Sequence, residues 1–109
     1  MDLAETGYLL TRRFPRDELF GLTSQIRRAA ASIPANIAEG NGRELTGPYI
    51  QSLRIAQGSL KELETHLLLS QRVSLAQDAD LSAAFAKCES VGKMLRALIR
   101  TLQNKISNE

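Results

Sequence analysis

Few side chains in this sequence have the chemistry of a catalytic or metal site. Among 109 residues, His66 is the only histidine and Cys88 the only cysteine, so neither a zinc site nor a disulfide within one chain is expected. A di-iron carboxylate bundle requires a glutamate three residues before its histidine, where this chain has Leu63. Glu62, one turn before His66, could share a metal with it weakly, but a surface pair is the favoured interpretation. With no nucleophile elbow either, the sequence predicts a protein that is not an enzyme and has no metal, cofactor or catalytic residue.

Basic side chains are the stronger indication of function, although the formal net charge is only +2. Residues 87–105 hold five lysines and arginines against one glutamate, whereas residues 44–82 hold three against five acidic residues. The basic segment could meet an acidic surface at an interface or bind a polyanion.

The candidate residues for binding nucleic acid or a partner are Arg12, Arg13, Arg16, Arg27, Arg28, Lys93, Arg96 and Arg100. Taken singly, each could equally be a solvated surface charge. Aromatic residues make up only 5% of the chain and do not accompany the basic ones. We therefore expect contacts to phosphates and no stacking platform that reads bases.

Residues 22–43 place several of these groups on one helix with three different faces. Its core face steps by three and four residues and comprises Leu22, Ile26, Ala30, Ile33 and Ile37. A second face, the polar ladder, comprises Gln25, Arg28, Ser32, Asn36 and Glu39. The third holds only small residues, which are Ser24, Ala31, Ala35 and Ala38. We interpret the polar ladder as a structural hydrogen-bond network in preference to a ligand site, because buried polar groups need partners.

Pro34 interrupts this helix, because proline removes one backbone hydrogen bond. A kink that wraps the helix around its core is the favoured interpretation. The alternatives are a polar site built with the Ser32 and Asn36 side chains, or a contact with a partner. Gly40 and Gly42 are expected to cap the end of the helix.

The whole chain reads as four helices, near residues 2–13, 22–40, 46–72 and 78–106. Phe14-Pro15 ends the first helix, and heptad patterns run through the third and fourth. The expected helix caps are Thr23 or Ser24, then Thr46, then Asp78 or Asp80. The pattern predicts an all-α, up-down-up-down four-helix bundle, left-handed, as a single domain over residues 1–109.

Gly58 lies in the middle of the third helix, where glycine costs about 1 kcal/mol relative to alanine. We expect it to permit a close approach to Ala31 or Ala35. The small and apolar surface of the second and fourth helices exceeds what one small bundle can cover, which predicts a homo-oligomer. With no membrane span and no signal peptide in the sequence, the expected location is the cytoplasm.

Several long segments of the chain resemble a known family. They are Phe14-Pro15, Leu22–Ala29 (LTSQIRRA), Ser32–Gly40 (SIPANIAEG) and Ala56–Glu64 (AQGSLKELE). Together they resemble the four-helix-bundle proteins encoded in intervening sequences of bacterial 23S ribosomal RNA genes. The accessory variability determinant proteins of diversity-generating retroelements are similar. The resemblance implies an up-down bundle that assembles as a ring-like homopentamer, although the first helix here is shorter than is typical of the family.

For function, the resemblance implies basic surfaces that bind a reverse transcriptase and nucleic acid, as in the retroelement members. Combined with the basic residues above, it predicts a non-enzymatic oligomeric accessory protein that binds RNA, DNA or a nucleic-acid enzyme. The alternative is an oligomeric scaffold for a protein partner with no role on nucleic acid, which the modest net charge favours.

Overall fold

The computed structural model describes residues 2–15, 21–42 and 45–107, and these ranges contain four α-helices and no strand. The helices are α1 (Asp2–Thr11), α2 (Leu22–Asn41), α3 (Thr46–Arg72) and α4 (Asp78–Ser107). The predicted all-α four-helix bundle is confirmed, and α2, α3 and α4 end within one residue of their predicted bounds. The first helix ends at Thr11, two residues earlier than predicted, and buried Phe14 follows it.

The helices form an elongated bundle of 52 × 20 × 19 Å. Each helix packs against the next one along the chain, and α1 closes the bundle by packing against α4. The pairs are antiparallel: Ser32 on α2 meets Ser59 on α3, and Thr6 on α1 meets Lys87 on α4. Because α1 has 10 residues and α4 has 30, α1 lies beside only the first half of α4.

One continuous apolar core runs along the bundle and uses the residues that the heptad patterns predict. On α2 these include Leu22, Ile26, Ala30 and Ile33. On α3 they include Leu53, Ala56, Leu60, Leu63 and Leu67, and on α4 Leu81, Cys88, Leu95 and Ile99. Burying each of the larger side chains contributes roughly 1.5–3 kcal/mol of transfer free energy. None of the helices in the described ranges is both long and apolar enough to cross a bilayer.

The helix caps differ from those predicted. Gly21 precedes α2 with φ 60°, a left-handed conformation that glycine adopts readily, so neither Thr23 nor Ser24 caps this helix. Leu45 precedes α3 without a side-chain cap, which makes Thr46 the first helical residue.

The helix α4 also begins differently, because the Gln77 carbonyl accepts the Leu81 N–H. Asp78 is therefore the first helical residue instead of the cap, and Asp78 and Asp80 place negative charge in the first turn. At the end of α2, Gly40 lies inside the helix and Gly42 has φ −80°. Gly42 does cap the helix, since its N–H donates to the Ala38 and Glu39 carbonyls, but its conformation is right-handed instead of the expected left-handed one.

The predicted approach of Gly58 to Ala31 or Ala35 is wrong. All three residues are exposed, and a Cβ atom on Gly58 would meet nothing within 4 Å. The neighbouring Ser59 is the residue that faces α2, and one residue turns about 100° around a helix axis. Gly58 therefore points away from α2.

The close approach of α2 to α3 occurs at Gly40 instead. A Cβ atom there would lie 2.7 Å from Cδ1 of Tyr49 and 3.0 Å from Cβ of Ser52. Cβ of Ser52 is held by the backbone of α3, whereas the Tyr49 ring is held by its own side-chain bonds. A side chain at position 40 would therefore displace the Tyr49 ring and press on Ser52.

These contacts predict opposite effects of alanine at the two positions. Gly58→Ala should raise the free energy of unfolding by roughly 0.5–1 kcal/mol, because it removes a flexible helical residue from open space. Gly40→Ala should lower it by about 1–3 kcal/mol through overpacking. Urea unfolding followed by circular dichroism measures both values, and destabilisation by Gly58→Ala would contradict this assignment of the contacts.

Candidate functional site

The polar ladder of α2 lies along the α2–α3 seam, which we define as the facing sides of Arg28, Ser32 and Asn36 on α2 and Ser59 and Glu62 on α3. Nη2 of Arg28 donates to Oε1 of Glu62 at 2.6 Å. The same nitrogen donates to Oε1 of Gln25 at 2.7 Å. Arg28 is thereby tied to its own helix and to the next.

One turn further along the seam, the hydroxyls of Ser32 and Ser59 are 2.8 Å apart. Nδ2 of Asn36 donates to the Ser32 carbonyl at 2.8 Å and to the Ser32 hydroxyl at 3.1 Å. Glu39, the last residue of the polar ladder, is exposed on the same helix. We propose that the bonds across the seam fix the register of α2 against α3. The helix α2 is continuous through Pro34.

The two candidate arginines of α2 have partners on neighbouring helices. Nε of Arg27 donates to Oγ1 of Thr11 at 2.8 Å, and its guanidinium lies 4.0 Å from the centroid of the Tyr8 ring. Arg27 thus connects α2 to α1, just as Arg28 connects α2 to α3.

The remaining candidates near α1 lie at its C-terminal end. Arg13 lies 3.9 Å from Asp80 at the start of α4, and both side chains are largely solvent-exposed. Such a pair contributes little to stability, because water screens it. Arg12 is exposed beside it, and Arg16 lies outside the described residues.

On α4 the three candidates are exposed, but only one has an ionic partner. Nζ of Lys93 lies 3.4 Å from Oε1 of Glu89, one turn earlier. Arg96 and Arg100 engage in no ion pair with any residue that the structure describes. Their charges face solvent uncompensated.

Two further exposed cations, Arg54 and Lys61, lie on α3, and they were not among the candidates predicted from the sequence. Lys61 and Arg96 both line a groove of about 770 Å³ between α3 and α4. Arg54 is exposed one turn before Gly58, another residue of the groove. The spacing Arg54, Gly58, Lys61 is i, i+4, i+7, which places all three on one side of a helix. That spacing could have indicated from the sequence alone that the two cations share one side of α3.

We call this feature the α3–α4 groove. Its glycines are Gly58 and Gly92, and its floor includes Leu60, Phe85 and Cys88. Two carboxylates, Glu64 and Glu89, also line it. Both glutamates lie near Cys88, at one end of the groove, which we call the acidic half. Arg96 lies one turn beyond Gly92, at the other end, which we call the basic half.

Cys88 and His66 lack the features of reactive groups. Burial raises the pKa of the Cys88 thiol from 9.0 to about 11, and the negative charge of Glu64 adds to this effect. The thiol therefore stays protonated and unreactive at neutral pH. Nε2 of His66 lies 3.7 Å from Oε1 of Glu62, which is too far for a hydrogen bond. In the part of the chain that the structure describes, no three His, Cys, Asp or Glu residues are grouped to hold a metal ion.

Fold and surface thus define a class of small all-α bundle with a polar seam on one side of α3 and a partly basic groove on the other. A model of the 23S rRNA-intervening sequence protein family matches residues 1–97. The chain belongs to this family, which confirms the resemblance seen in its sequence motifs.

The fold is also that of a solved structure. The chain is similar to a protein of unknown function from the S23 ribosomal protein family of Bacteroides thetaiotaomicron, with a TM-score of 0.76 and 23% identity. The similarity covers 90% of this chain and 88% of that one. At this identity, it shows a shared fold. Comparison with curated proteins gave no match.

Proposed function

We propose that this protein is a non-enzymatic, oligomeric accessory protein of the cytoplasm that binds nucleic acid, or an enzyme acting on nucleic acid such as a reverse transcriptase. The observation that carries this proposal is the pair Arg96 and Arg100 on α4. Both are exposed, and neither engages in an ion pair within the described ranges. Arg12 and Arg13 at the end of α1 are a second exposed pair.

Uncompensated arginines favour phosphate ligands for a physical reason. Arginines that neutralise the phosphates of a nucleic acid release the cations condensed on it, and this gain in entropy makes binding strong at low salt and weaker as salt rises. In a homo-oligomer the same side chains recur around the symmetry axis, which multiplies the field that a polyanion experiences. The net charge of +2 per chain therefore understates the local charge on an oligomer.

Self-association is supported by the apolar surface that α1 leaves uncovered. Met94 is 47% exposed, and Val91, Leu98 and Leu102 beside it are only partly buried. Met94, Leu98 and Leu102 follow the part of α4 that α1 covers, because Thr6 meets Lys87 and only four residues of α1 precede Thr6. The small residues Ala31, Ala35 and Ala38 of α2 are exposed as well.

The same apolar surface favours the second candidate function, an oligomeric scaffold that binds a protein partner and no nucleic acid. Both candidates require self-association, and they differ in whether phosphate contacts exist. Two measurements therefore test them separately.

For assembly, we expect light scattering at micromolar concentration to give a multiple of the 12.0 kDa chain mass, five being the number that the family resemblance implies. Met94→Glu should lower the mass, because it places a charge in the apolar surface between copies. Val73→Glu, at an exposed apolar residue between α3 and α4, is the control and should leave the mass unchanged. A 12 kDa species for the unmodified chain would refute self-association.

For nucleic-acid binding, fluorescence anisotropy with a labelled RNA or DNA should show affinity falling steeply with salt, in proportion to the number of phosphates engaged. The double reversals Arg96→Glu/Arg100→Glu and Arg12→Glu/Arg13→Glu should each weaken binding about tenfold or more at low salt. If binding is absent at low salt, or neither reversal changes it, the scaffold function remains and nucleic-acid binding is rejected.

A further inference from the structure

We propose that the basic half of the α3–α4 groove holds the phosphodiester backbone of a single nucleic-acid strand, with Gly58 as the point of closest approach. This inference rests on the proposed nucleic-acid binding and assigns it a site. Its residues are Arg54, Gly58 and Lys61 on α3 and Arg96 and Arg100 on α4.

Gly58 is the first observation, because nothing in the described fold requires a glycine there. The residue is helical, its φ is not in the left-handed region, and a Cβ atom would meet nothing within 4 Å. Glycine in such a position weakens the helix relative to alanine. Its absent side chain instead keeps the groove open to a ligand from outside.

Gly92 on the opposite wall is the second observation. A Cβ atom there would lie 3.3 Å from Nη1 of Arg96 and 3.4 Å from Cδ2 of Leu60. The missing side chain leaves room for the Arg96 guanidinium to lie along the groove. The two glycines thus leave space beside the Arg96 guanidinium.

Charge is the third observation. Arg54 lies one turn before Gly58, and Lys61 lies one turn after it. Lys61 and Arg96 line the basic half, and helical spacing places Arg54 and Arg100 about one turn further along the same sides of α3 and α4. None of the four forms an ion pair with a described residue.

The two glutamates of the groove lie in its acidic half, away from Gly58. Glu89 lies 3.4 Å from Nζ of Lys93, which partly neutralises it. Glu64 lies close enough to Cys88 to raise the pKa of that thiol, so it belongs to the acidic half of the groove. A polyanion is therefore attracted to the half that contains Gly58 and repelled from the half that contains Glu64.

The width of the groove favours a single strand over a duplex. Packed helices have axes about 8–10 Å apart, which leaves a groove narrower than a double helix. Leu60 and Phe85 give the groove an apolar floor against which a sugar or base can lie. This surface does not conflict with the proposed interface between copies, because Met94 and Arg96 lie about 200° apart around α4.

The test measures binding of the full chain to fluorescein-labelled oligouridylate and oligodeoxythymidylate of equal length, over a series of salt concentrations. Arg54→Glu removes a charge that the nucleic-acid proposal did not include, and Gly58→Leu fills the groove without changing charge. The matched controls are Arg72→Glu, at an exposed cation at the end of α3, and Gly47→Leu, at a glycine that also has nothing within 4 Å.

We expect Arg54→Glu and Gly58→Leu each to weaken binding about tenfold or more, and the controls to change it less than about twofold. Arg54→Glu should also reduce the salt slope by about 0.7, the value of one phosphate contact on a single strand. Thermal melting should show all four variants folded, since their side chains are exposed. Affinities for RNA and DNA should agree within about threefold, because phosphate contacts carry no sequence or sugar information.

Each other result overturns the proposal in a distinguishable way. If the unmodified chain binds but Arg54→Glu and Gly58→Leu bind equally well, the groove is not the site and the proposed function stands. If the unmodified chain binds neither oligonucleotide at low salt, both fail. A poly-glutamate peptide that binds more tightly than either oligonucleotide, and is lost in the groove variants, would assign the groove to an acidic protein instead.

Discussion

Where α2 passes α3, Gly40 has the tightest surroundings of the described glycines, and we infer that this contact governs how the two helices pack. Tyr49 and Ser52 leave no room for a Cβ atom there, and the Ser32–Ser59 hydrogen bond lies further along the same seam. We infer that these two contacts on one antiparallel pair determine both its spacing and its register. The bond between Arg27 and Thr11 then attaches α1 to this pair, and α4 packs on the other edge of α3.

This arrangement decides which cations are available to a ligand. Arg28 meets Glu62 and Arg27 meets Thr11, so both guanidiniums have partners within the bundle, although the Arg28 side chain is 65% exposed. The rotation of α3 turns Ser59 towards α2 and Gly58 away from it. One orientation of α3 therefore places the seam on one side of the helix and the α3–α4 groove on the other.

Much of the fold could be predicted from the sequence, because apolar periodicity determines where helices form and which face they bury. The family could be predicted as well, since long motifs such as SIPANIAEG are specific to it. The rotation of each helix relative to its neighbour could not be predicted from the sequence, and Gly58 is an example. A glycine in a helix indicates that something comes close, but not from which side. The caps at Gly21 and Leu45 were not predicted, because the local backbone conformation overrode the preference for capping side chains. Arg54 and Lys61 were not predicted as candidates, because their position relative to the partner helix is not visible in the sequence.

A double-mutant cycle on Ser32 and Ser59 tests most directly whether the seam positions the bundle. Ser32→Ala, Ser59→Ala and the double variant are unfolded in urea, and their free energies of unfolding are compared with that of the unmodified chain. If the seam acts as described, the two substitutions are coupled by about 0.5–1.5 kcal/mol, the net value of a partly buried hydrogen bond. Effects that add to within about 0.3 kcal/mol would show that the two hydroxyls do not interact, and would contradict the claim that this bond fixes the register of α2 and α3.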